Sequence, residues 1–262
     1  MLDVDFEFFD PQPEFDFHGI KTLLQQLFDV DSTIFSLSEL TDLILAQPLL
    51  GSTVKVDGNE TDAYGFLSVI NLQQHAEKPF VGKVIEYLRG KANNTPALKP
   101  LFELFSQTPI PPIGLILTER LINVPSETSP PMYKMLLEEI QWALEESEPY
   151  SFTHYLILSK TYTEVASTLD VEDDRPKKKS KASKSGKDDV FYFHPEDEVF
   201  ARSASCSGNF AYSTKVDDGA SDSKRAFQEM GIRPQGHAIL IEAGKFQGAV
   251  KEAEEYLKPP GQ

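Results

Sequence analysis

The chain has a single cysteine, Cys206, in 262 residues. That excludes an internal disulfide framework and fits a reducing compartment. It has no apolar run near the ~20 residues needed to cross a bilayer, so membrane insertion is not expected. The opening MLDVDFEFFD is acidic and aromatic, unlike a signal peptide. Cations are scarce: 25 Lys and Arg against 41 Asp and Glu give a net charge of −16. They are also unevenly placed. Residues 175–187, RPKKKSKASKSGK, hold seven of the 25 and no acid, which leaves the rest at 18 against 41, or −23. Such a body repels nucleic acid phosphates, so no direct nucleic acid binding is expected, and it attracts basic proteins.

What is present is enough apolar and aromatic residue, 40% and 11%, for one large core. The organising stretch runs from Pro109 to Leu144. Ile113 to Leu117 has the length and composition of a buried strand. Ser129-Pro130 then predicts a helix start, with the serine as cap. Met132, Leu136, Ile140, Ala143 and Leu144 form its apolar stripe. Before it, 4–9 alternates like an edge strand. Asp16 is expected to cap one helix, and Ser36 with Glu39 to make a capping box for the next. Strands are predicted at 50–56 and 63–72 around Asp57-Gly58-Asn59-Glu60, then helices opening at Pro79, closed by Gly90, and at Thr95-Pro96. His154 to Thr163 and His237 to Ile241 read as strands, and Phe246, Ala249, Val250, Ala253 and Leu257 as the face of a last helix. Residues 170–189 lack apolar periodicity and read as a disordered basic insertion. Strands so far apart must pair. The predicted fold is α/β (α+β), one mixed central sheet with helices on both faces, in a single domain over 1–262.

Chemistry is harder to find. Gly231 to Ala238 has the glycine spacing of a phosphate loop, but His237 and Ala238 stand where lysine and a hydroxyl are needed, and the stretch enters a strand. The same Arg233-x-x-Gly236-x-Ala238 matches the pyrophosphate loop of acetyl-CoA-dependent N-acetyltransferases, again in the wrong strand–helix order. The loop in the right order, Gln73 to Pro79, has no glycine. The five histidines, 18, 75, 154, 194 and 237, show no ligand spacing with each other or with Cys206, so neither metal nor cofactor is expected. His194-Pro195-Glu196-Asp197-Glu198 reads as a solvated turn. No catalytic residue is assigned. Two surface features remain. Glu138, Glu139, Glu145, Glu146 and Glu148 crowd one helix and its end, a docking face for cations. Lys177, Lys178, Lys179 and Lys181 form a nuclear-import signal.

Six stretches carry a resemblance that spans nearly the whole chain in one order. They are Val4-Asp-Phe-Glu-Phe-Phe, Asp16-Phe-His-Gly-Ile-Lys, Gly114 to Pro125, Pro130 to Ala143, Tyr155 to Tyr162, and Phe193-His-Pro-Glu-Asp-Glu. Together they resemble the BCCIP/Bcp family of eukaryotic nuclear proteins. The resemblance implies a fold similar to that of the GCN5-related N-acetyltransferases without their cofactor site. It implies a non-enzymatic nuclear chaperone that shuttles to the cytoplasm. Its client would be a basic ribosomal protein of the large subunit, the universal L-fourteen (yeast L-twenty-three). The partners expected with it are nuclear transport receptors and a phosphatidylinositol-phosphate kinase. The alternatives are an export adaptor for that kinase, or an acetyl-CoA-dependent transferase. The family usually carries a longer acidic tail before its first strand, so the chain looks trimmed.

Overall fold

The structure is a computed structural model that describes residues 5–47, 50–164, 190–214 and 232–258. The basic insertion, with Lys177, Lys178, Lys179 and Lys181, lies outside the described residues, as does Gly231.

Eight strands form one sheet: β1 (Glu7–Phe9), β2 (Ser52–Lys55), β3 (Gly65–Asn71), β4 (Ile113–Arg120), β5 (His154–Glu164), β6 (Val190–Tyr192), β7 (Cys206–Phe210) and β8 (Ile232–Glu242). The order is β1-β2-β3-β4-β5-β8-β7, with β6 attached to β5. Among the described residues only β4 and β5 are parallel, and every other pairing is antiparallel. The sheet is mixed, as the sequence pattern predicts.

Alternation along the central strands sorts the core into two halves. Leu115 and Leu117, Leu156 and Leu158, and Ala238 and Leu240 join one cluster with α1 (Pro13–Phe28), α2 (Leu37–Leu45), α3 (Pro79–Asn94) and α4 (Lys99–Phe105). Ile116, Ile157, Ile239 and Ile241 join the other with α5 (Ser129–Glu145), α6 (Pro195–Ser203) and α7 (Ala243–Tyr256). Helices therefore cover both faces. Each fully buried aliphatic side chain contributes about 1.5–3 kcal/mol, and a one-residue slip would exchange the two halves, so the register is strongly held.

Several local expectations need correction. Asp16 does not cap from outside: α1 starts three residues earlier, and the Asp16 carboxylate reaches back to accept from Gln12 N–H at 2.7 Å. It also pairs with the buried Lys55 at 2.7 Å, and that partner, 39 positions away, decides its place. Neither Ser36 nor Ser129 makes a side-chain cap; a 3-10 turn, Ser126–Thr128, leads into α5, and Ser129 is already helical. Gly90 does not close α3, which runs on to Asn94. Leu144 is exposed rather than part of the apolar stripe. Gly236 sits inside β8, not in a loop. A Cβ there would come within 2.2 Å of the Phe210 ring, so this glycine leaves room for an aromatic neighbour. Pro234 lies past the end of β7, where β8 has a strand on one side only, a setting that tolerates proline.

Candidate functional site

The parallel pairing of β4 and β5 runs from Ile113↔His154 to Leu117↔Leu158 and then stops. Both strands continue, β4 to Arg120 and β5 to Glu164, so a gap opens between their carboxyl ends. Crevices at the carboxyl ends of parallel strands are common ligand sites. Here the gap is filled. β8 occupies one edge of β5 along its whole length, so β6, which pairs with Thr161 to Thr163, must take the edge facing β4. The chain then turns through Phe193 and His194 into α6.

A buried charge network completes the plug. By alternation Glu119 and Lys160 lie on the α1 side of the sheet, and Ser159 and Arg120 on the α5 side. Lys160 Nζ is 2.5 Å from Glu119 Oε2 and donates to the Gln26 carbonyl at 3.1 Å. Gln26 in turn donates to the Arg120 carbonyl. His194 Nε2 lies 3.0 Å from Glu119 Oε1. On the other side Arg120 holds Glu196 through both terminal nitrogens, the second at 3.0 Å, and Ser159 Oγ donates to Asp197. Glu119, Arg120, Ser159, Lys160, His194, Glu196 and Asp197 are all buried, and Gln26 lies at the exposed edge. Burial opposes the Glu119 charge, but His194 and Lys160 outweigh it and bring its pKa down to about 2. Burial likewise opposes the His194 imidazolium, and Glu119 lifts its pKa above the ordinary value. Asp197 goes the other way: burial, with Glu196 nearby, pushes it up to about 7 despite His194, Ser159 and Arg120. Arg120, Lys160 and His194 thus face Glu119 and Glu196, and burial favours the protonated form of Asp197.

The stretch His194 to Glu198 is therefore no solvated turn. It is the start of α6, with His194, Glu196 and Asp197 buried. Its charges are spent on each other. Ser159 gives its hydroxyl hydrogen to Asp197, while His194 faces Glu119 and His237 bonds to Asn209. Among the described residues no group of three His, Cys, Asp or Glu could hold a metal ion. The loop from β3 to α3 is also occupied: Asn71 Oδ1 accepts from Gln73 N–H at 3.0 Å and Gln74 N–H at 3.1 Å. Cys206 is buried, and burial pushes its thiol up, away from a reactive thiolate.

Of the residues expected to form an acidic face, Glu138, Glu139 and Glu145 lie on α5, Glu146 follows as its C-cap and Glu148 comes after it, and one of the five is turned inward. Glu138, Glu145, Glu146 and Glu148 are exposed. Glu139 points inward and accepts from Gly51 N–H at 2.7 Å, and burial raises its pKa to about 7. Helical spacing explains the split: Glu139 lies three residues after Leu136 and four before Ala143 on the buried side, while Glu138 and Glu145 lie two turns apart on the outer side. Sequence reading missed Trp142. It is 55% exposed and sits one turn after Glu138 and one turn before Glu145 and Glu146. Its signal was available: an aromatic residue in a polar helical position.

The family model for BCCIP matches residues 1–200. The chain belongs to the BCCIP family. Protein bcp1 of Emericella nidulans is 65% identical over 259 residues, which cover 99% of this chain and 89% of that protein. Protein bcp1 of Schizosaccharomyces pombe is 48% identical over 257 residues, covering 97% and 90%. The crystal structure of BCP1 from Saccharomyces cerevisiae matches with a TM-score of 0.67 at 28% identity, over 97% of this chain and 89% of that one. None of these names describes an enzyme. The BCCIP match reaches Phe200 and so includes every charged side chain of the plug as well as α5.

Proposed function

We propose that the chain is a non-enzymatic nuclear escort. It shields the cationic surface of one large-subunit ribosomal protein, of the L-fourteen class, until assembly. The observation that carries this reading is the outer face and C-terminal end of α5, where Glu138, Glu145 and Glu146 open to solvent within one turn of an exposed Trp142 and Glu148 follows, on a chain of net charge −16. Charge of one sign speeds capture of an opposite client, and an apolar centre supplies orientation and residence time. Entry to the nucleus rests, on this reading, on Lys177 to Lys181 and transport receptors. The filled gap between β4 and β5 and the occupied Asn71 loop favour binding over acyl transfer. The strand order with its one parallel pair supports kinship with the GCN5-related N-acetyltransferase fold.

The test is retention of purified large-subunit ribosomal proteins on the immobilised chain at rising salt. One client should stay bound after the others wash off. Equal weak retention of all of them, lost together at moderate salt, contradicts an escort and leaves nonspecific attraction. Calorimetry with acetyl-CoA should be silent; micromolar binding would favour the transferase.

A further inference from the structure

An exposed indole on a helix face that none of the described residues covers calls for an occupant. Trp142 is the single tryptophan of the chain, and Lys134 is the only cation between Ser129 and Tyr150. The helix places Glu138 one turn before the ring and Glu145 and Glu146 one turn after it. Elsewhere the protein supplies its own cations to exposed or half-buried rings, as with Arg202 over Tyr256 and Lys160 over Phe193. Among the described residues none lies over Trp142. The ring face is electron-rich and its rim is anionic, so the complementary group is a cation that can both stack and be hydrogen-bonded.

Arginine fits that description better than lysine. Its guanidinium is planar, weakly hydrated, able to lie on an indole, and able to direct its N–H groups sideways to carboxylates. A lysine ammonium is a compact, strongly hydrated point charge and gains less. We propose that Trp142 seats an arginine side chain of the client, stacked on the indole with its N–H groups received by Glu138, Glu145 or Glu146. This rests on the escort reading and names the chemistry of its contact.

The test uses the full chain and two peptides of equal length and charge, one rich in arginine and one in lysine. Trp142 reports on itself, since all the tryptophan emission comes from this position. The arginine peptide should shift and quench that emission and bind about two- to thirty-fold more tightly than the lysine peptide. By calorimetry, Trp142→Ala should bring the arginine peptide to the affinity of the lysine peptide, and Trp142→Phe should keep part of the preference. Equal affinities, unchanged emission, or a preference that survives Trp142→Ala would each overturn the inference. A client retained by Trp142→Ala but lost on reversing Glu138, Glu145 and Glu146 overturns this inference and leaves the escort reading standing. A client that never binds, together with two silent peptides, removes both.

Discussion

Arg120 and Glu196 are each buried, and each is the other's main partner in the plug between β4 and β5. Removing one leaves a charge stranded in low dielectric, which costs more than the pair contributes. Arg120→Ala should lower stability by about 3–5 kcal/mol in urea unfolding. The apolar pair Arg120→Met with Glu196→Leu should recover most of that. If the double variant is as unstable as the single one, the bidentate contact itself holds the plug. Glu139 makes a pH-dependent statement. Its folded pKa is raised by burial from 4.5 to about 7, so the folded state favours its protonated form. The stability linked to Glu139 is therefore fully present below about pH 4.5 and falls as the pH rises to about 7. Glu139→Gln keeps an acceptor for Gly51 N–H and cannot ionise. It should gain on the wild type between pH 5 and pH 8 in unfolding experiments; parallel pH profiles would show that Glu139 titrates as an exposed carboxyl.

At the scale of elements, β7 and β8 depend on Gly236, whose missing side chain makes room for the Phe210 ring beside it. Gly236→Ala should cost about 1–3 kcal/mol, the usual penalty for overpacking. An unchanged unfolding midpoint would mean that Phe210 swings away freely. Read as a motif, Gly236 pointed towards a phosphate loop; in the fold it serves packing. Elements with a clear signature were legible in the sequence: the apolar, β-rich runs of β4, β5 and β8 and the apolar stripes of α1, α5 and α7 pointed to the sheet and both helical layers. Helix starts were less legible. The Gln12 N–H that donates to Asp16 is one turn back, its ionic partner Lys55 is in β2, and Ser36 and Ser129 leave the capping to backbone. The plug was illegible for the same reason on a larger scale. Glu196 beside proline looks solvated until Arg120, 76 residues earlier, is brought against it. The exposure of Glu138 and Glu145 was legible because it follows helical phase, and the same phase turns Glu139 inward to Gly51.

For the whole molecule, the same sheet carries two kinds of charge. The plug is inward, its charges face one another, and it closes the gap that a ligand would use. The face of α5 is outward and uncompensated, in a chain with sixteen more acids than bases. Only the second can act at a distance, and salt screens it over about 8 Å at physiological ionic strength. The most direct measurement is the affinity of the full chain for the proposed client, a purified basic large-subunit ribosomal protein, across a salt series, for the wild type and for Glu138→Lys/Glu145→Lys/Glu146→Lys. The wild type should weaken steeply with salt, and the triple variant should bind far more weakly at low salt and with a shallow salt dependence. Equal affinity and equal salt slope in the two proteins would contradict capture by the α5 face.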